Sequence, residues 1–89
     1  MQYEIITSKK ADKDLLILRS EKVLYKRVFD LFKIIEKNPY QNPPSYEKLS
    51  GDLKDKYSRR LNDKHRMVYE INEKTKEVYV LSLRSHYEF

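Results

Sequence analysis

The hydrophobic positions change period part-way along the chain. Residues 2–6 alternate, with Tyr3 and Ile5 on one face and Glu4 and Ile6 on the other, which predicts a short first strand. Thr7 or Ser8 then offers a cap for a helix running to about Arg19, with Ala11, Leu15 and Leu18 on one side. Ser20 is placed to cap a second helix, whose stripe is Leu24, Val28, Leu31 and Ile35 at spacings of four, three and four. Asn38-Pro39 ends it, because the residue before a proline is driven out of the helical region. The two helices have almost no loop between them, so an antiparallel helical hairpin is expected.

Residues 40–52 hold two of the three prolines and the single glycine, Gly51, and read as a loop. Beyond them the stretches 57–61, 66–71 and 77–83 are rich in Tyr, Val, Met and Leu and read as three strands. Short polar links, Asn62-Asp63-Lys64 and residues 72–76, suit hairpins. The expected fold is α+β, an N-terminal strand and helical hairpin followed by an antiparallel meander, with the helices on one face of the sheet. Residues 1–89 are read as a single domain, since no linker, repeat or low-complexity segment interrupts them.

Composition narrows the chemistry. Without cysteine there are no disulfides, no thiolate nucleophile and no Cys-based zinc or iron–sulfur site, and two histidines, His65 and His86, do not make a His-rich metal site. No cofactor and no metal are expected. The N-terminus lacks the apolar stretch of a secretory signal, and the aliphatic run Leu15 to Leu18 is far too short to span a bilayer. The expected location is the cytoplasm, with no membrane partner.

The net charge of +5 favours an anionic partner. Most of it comes from residues 54–66, where Lys54, Lys56, Arg59, Arg60, Lys64 and Arg66 face only Asp55 and Asp63. Tyr57 lies within this run, and Tyr69 and Tyr87 lie on or near neighbouring strands. Cations interleaved with aromatics suit RNA, because phosphates attract cations and unstacked bases need a π-face. The plainer reading is that Lys and Arg line solvated strand edges and block edge pairing.

Cleaving RNA without a metal needs a base for the 2′-hydroxyl proton, a cation for the phosphorane and an acid for the leaving 5′-oxygen. Glu47 in the loop, Arg66 on a strand and His86 after the last strand are the candidates. Histidine, with an ordinary pKa of about 6.5, is the natural acid. A glutamate, ordinarily near about 4.3, is a weak base unless its surroundings raise it. An arginine stays charged and can grip a phosphate through two parallel hydrogen bonds. Each has a plainer alternative: a solvated loop carboxylate, an edge-strand cation and an exposed terminal histidine. His65 reads as a turn or strand residue rather than a catalyst.

The order of the motifs adds to this. Residues 47–69, EKLSGDLKDKYSRRLNDKHRMVY, carry Glu47 with Leu49, then Tyr57-Ser58-Arg59-Arg60, then His65-Arg66-Met67-Val68-Tyr69, and Ser85-His86-Tyr87 comes near the C-terminal end. This resembles the YoeB/Txe branch of the RelE-like bacterial toxins. Ser50 departs from that pattern, where a lysine is expected, and Glu88 and Phe89 follow the His-Tyr pair. The resemblance implies a RelE-like, microbial-RNase-like fold and the toxin of a type II toxin–antitoxin system. It further implies a ribosome-dependent mRNA endonuclease that cuts in the A site, leaving a 2′,3′-cyclic phosphate and a 5′-hydroxyl. Carried over by position, Glu47 would be the general base, Arg66 the phosphate-stabilising cation and His86 the general acid. Tyr87 would orient the nucleotide, by stacking or by contact with the scissile phosphate. Arg59 with Lys48, Lys54, Lys56 and Arg60 would hold mRNA or ribosomal RNA. The implied partners are mRNA, the ribosome and a cognate acidic antitoxin of YefM/Axe type, whose complex with the toxin could bind operator DNA; a homodimer is left open.

Two other readings compete. A toxin of the same shape could act on DNA gyrase, against which the presence of Glu47, Arg66 and His86-Tyr87 argues. A non-catalytic basic module would bind RNA or an acidic protein without cleaving anything, and would be indifferent to alanine at Glu47 or His86.

Overall fold

The computed structural model describes residues 2–84. Its elements run β1 (Glu4–Thr7), α1 (Lys9–Leu18), α2 (Lys22–Lys37), β2 (Glu47–Lys48), a single 3-10 turn (Gly51–Leu53), β3 (Lys56–Arg60), β4 (Arg66–Asn72) and β5 (Glu77–Ser82). The strands form one sheet in the order β1-β5-β4-β3-β2. The meander β3-β4-β5 is antiparallel, as expected, and β1 lies parallel to β5. A parallel pair needs a long connection, and here it contains both helices and the strands β2 to β4.

Ser8 starts α1 and also ties it to the sheet. Its Oγ accepts the Ala11 N–H at 3.0 Å and donates to the Leu81 carbonyl at 2.9 Å, while its own N–H donates to the Val80 carbonyl. The expected cap of α2 is corrected. Ser20 lies in the turn after α1, Glu21 occupies the cap position, and no side chain accepts a cap hydrogen bond there. The helix forms without it because its apolar stripe is buried: Leu24, Val28, Leu31 and Ile35 all lie in the core.

That core also takes Ala11 and Leu18 from α1, and Met67, Tyr69, Val78 and Val80 from the sheet. Alternation along β4 sends Met67, Tyr69 and Ile71 toward the helices and Arg66, Val68 and Glu70 to the opposite face. The same rule on β3 pairs Tyr57 with Tyr69 on the helix side and puts Ser58 and Arg60 on the other. The loop reading of 40–52 needs one correction, since Glu47 and Lys48 form the edge strand β2, in register with Ser58 and Tyr57. Among the described residues, no helix is long and apolar enough to cross a membrane.

Candidate active site

The sheet face turned away from the helices gathers Glu47, Ser58 and Arg66. Glu47 and Ser58 are register partners across β2 and β3, and Arg66 stands diagonally from Ser58 on β4, opposite Arg60. The Arg66 Nε donates to Ser58 Oγ at 2.6 Å, and its Nη2 donates to Glu47 Oε1 at 3.1 Å. Glu47 is mostly exposed, Arg66 is about a quarter exposed and Ser58 is fully buried. A carboxylate and a guanidinium nineteen positions apart thus meet on the sheet face turned away from the helices. His86 and Tyr87 lie outside the described residues.

The cationic residues divide by face. Lys48 and Lys54 are exposed, and Lys56 is half-buried with its Nζ 3.9 Å from Glu70. Arg60 is exposed, paired with Asp63 at 3.1 Å, and lines an open cleft with Arg27, Ser45 and Asn62. Arg59 does not belong with them, which corrects the expectation that it binds RNA. It is fully buried on the helix side, where Nε donates to Tyr69 Oη at 2.9 Å and Nη2 to the carbonyls of Pro39 and Gln41 at 3.1 and 2.9 Å. Nη1 donates to the Pro44 carbonyl, and the guanidinium lies over the Tyr46 ring, 4.9 Å from its centre. Carbonyl oxygens and a tyrosine face stand in for the carboxylate that a buried cation ordinarily needs. The charge therefore fastens the 39–46 loop to the sheet.

The aromatics follow Arg59 rather than an RNA path. Tyr57 stacks on Tyr69 at 5.8 Å, and Tyr40 and Tyr46 meet Tyr57 edge-on. Burial raises the Tyr69 pKa, with Arg59 acting against that shift. His65 sits just before β4, nearly buried, and desolvation holds it below its ordinary value with Lys64 adding to the effect.

Two residues of consequence were given no role from the sequence. Ser58 could have been found by alternation, which sets it on the face of Arg60 rather than that of Arg59. Asp14 interrupts the apolar side of α1, yet it is buried and accepts the backbone N–H groups of Leu83 and Arg84. Among the described residues, no three His, Cys, Asp or Glu side chains are grouped to hold a metal ion.

A family profile, described as the YoeB-like toxin of bacterial type II toxin–antitoxin systems, matches residues 8–87. The chain belongs to this family. Toxin YoeB of Synechocystis sp. is 34% identical over 70 residues, covering 79% of each chain. Among solved structures, the YoeB/ParE toxin from Agrobacterium tumefaciens superposes with a TM-score of 0.87 at 24% identity, over 94% of this chain and 99% of that one, a likeness of fold. A YoeB chain in the heterotetrameric YoeB–YefM toxin–antitoxin complex from Staphylococcus aureus gives 0.81 at 29% identity, over 98% and 100%. The profile match spans residues 47–69, and these solved toxins share this arrangement of helices and sheet.

Proposed function

We propose that this toxin is a ribosome-dependent mRNA endonuclease. The observation that carries the reading is the Glu47–Arg66 pair on the open face, 3.1 Å apart and braced by Ser58. Glu47 takes the proton from a 2′-hydroxyl as that oxygen attacks the adjacent phosphorus. Arg66 neutralises the charge that builds on the non-bridging oxygens of the phosphorane. His86 donates a proton to the departing 5′-oxygen, and Tyr87 orients the nucleotide. The products are a 2′,3′-cyclic phosphate and a 5′-hydroxyl, so the electron count closes with no oxidant or cofactor.

Lys48, Lys54, Lys56 and Arg60 hold the flanking RNA backbone in this reading, while Arg59 serves the fold. The ribosome's part is geometric, since in-line attack requires the mRNA to be bent into a near-attack arrangement. A cognate acidic antitoxin is the expected inhibitor, because a partly disordered acidic segment can wrap a basic surface and offset its ordering cost with a large interface. The YoeB–YefM complex of the Staphylococcus aureus relative supports that expectation.

The test is a primer-extension map of an mRNA on stalled ribosomes, with and without the purified protein. A new 5′ end inside the A-site codon is expected. Intact mRNA, with the protein folded and free of antitoxin, would overturn the reading in favour of a non-catalytic binder or a different target.

A further inference from the structure

We infer that Ser58 is a positioning residue for RNA cleavage, fixing the orientation in which Arg66 meets the scissile phosphate; this rests on the nuclease reading above. A guanidinium has five N–H donors in a rigid planar fork, so fixing one edge fixes the others. Nε–H and one Nη2–H lie along one edge of that plane. Here that edge is occupied, Nε by Ser58 Oγ at 2.6 Å and Nη2 by Glu47 Oε1 at 3.1 Å. The other edge, between Nη1 and Nη2, has no protein partner among the described residues. It presents the two parallel donors that a phosphate accepts.

Glu47 cannot do this work alone. It is about two-thirds exposed, and ion pairs of that kind are weak and screened. More importantly, its charge disappears in the reaction. When Glu47 takes the 2′-hydroxyl proton it becomes neutral, and its attraction for Arg66 falls as negative charge builds on the phosphorane. Ser58 stays a neutral acceptor through that change. It is fully buried on β3, flanked by paired strands on both sides and in register with Glu47 on one and Val68 on the other, so its own position is held by the sheet. Arg66 is then aimed by a buried group that does not titrate.

The test compares Ser58→Ala with the parent in single-turnover cleavage of mRNA on stalled ribosomes. The expected result is a rate reduced about tenfold or more, since small misplacements of a charge-stabilising group are costly, with the half-saturating ribosome concentration changed by less than about twofold. Ser58→Thr and Ser58→Val form a second pair of nearly equal shape that differ in the hydroxyl, and the threonine variant should cleave faster. On an Arg66→Lys background, which lacks the Nε–H, Ser58→Ala should change the rate little. In the free protein, the Arg66 Nε–H should exchange with solvent faster in Ser58→Ala than in the parent, by nitrogen-15 NMR.

Equal rates for Ser58→Ala and the parent would overturn the inference. So would equal losses on the arginine and lysine backgrounds, or a valine variant as active as the threonine one. If the parent itself leaves mRNA intact while the Nε–H is protected, the nuclease reading has failed, and the positioning role falls with it.

Discussion

Asp14 and Leu83, 69 residues apart in sequence, are joined by a hydrogen bond: the Asp14 Oδ2 accepts the Leu83 backbone N–H at 2.9 Å. The same oxygen accepts the Arg84 N–H at 3.3 Å and the Lys10 ammonium at 3.2 Å. A carboxylate on a helix thus holds the backbone that leads out of β5, two residues before His86. Such a carboxylate is buried at a cost that only several donors offset.

Removing that acceptor should therefore be felt in stability. Asp14→Ala leaves the Leu83 N–H buried without a partner, and a loss of about 1–3 kcal/mol is expected from urea unfolding. Asp14→Asn keeps an oxygen acceptor and should lose less. Equal stability of the alanine variant and the parent would show that the bond contributes nothing.

Neighbouring arginines on β3 should behave oppositely. Arg59→Met removes the donor to the Pro44 and Gln41 carbonyls and to Tyr69 Oη, while the Pro39 carbonyl keeps the Tyr69 hydroxyl as a donor at 3.2 Å; at about 1–3 kcal/mol for each buried group left unpaired, a marked drop in the unfolding midpoint is expected. Arg60→Ala, at an exposed position, should change stability by no more than about 0.5 kcal/mol. Its effect should instead appear in RNA binding, as weaker affinity with a shallower dependence on salt. An Arg59→Met variant of parental stability would contradict the structural role.

This division marks the limit of what the sequence discloses. The helical hairpin and the meander were legible because their apolar periods persist over many residues, and Leu24, Val28, Leu31 and Ile35 all reached the core. Edge strand β2 was not, since two exposed polar residues carry no period and are strands only through their pairing with Tyr57 and Ser58. Arg59 and Arg60 look alike in sequence, but adjacent strand residues point to opposite faces, and composition does not say which face is inside. The alternation Tyr57-Arg59-Leu61 did contain that answer. Glu47 and Arg66 were named as chemistry from the sequence, and their meeting across three strands is a matter of register.

Glu47→Gln keeps the shape of the side chain and an oxygen for Arg66 but removes the base. Cleavage of ribosome-bound mRNA should fall by about 10²–10⁴-fold, the usual contribution of a positioned base. Unfolding stability should change by less than about 1 kcal/mol, because the pair is largely exposed. A variant that cleaves at the parental rate would place the base elsewhere.

Glu73 should contribute to the acid limb of the stability profile, by an amount that solvent screening at this exposed site reduces. The Lys76 ammonium, then the Tyr40 and Tyr3 hydroxyls, hold its carboxyl down from 4.5 to about 2. Those hydroxyls tie the 39–46 loop and the start of β1 to the β4–β5 hairpin. Glu77, held low by the Tyr79 and Thr75 hydroxyls, acts in the same direction. A carboxyl depressed on folding contributes fully above its unfolded value, so its stabilisation is intact above about pH 4.5 and disappears as pH falls toward 2. The buried His65 also loses stability on acidification, but its window opens at about 6.5, where the unfolded chain begins to take up the proton. Urea midpoints measured at half-unit steps from pH 7 to pH 2.5 should then fall in two stages. In Glu73→Gln the lower stage should flatten while the upper one remains, and a lower stage as steep as the parent's would remove Glu73 as a contributor to it.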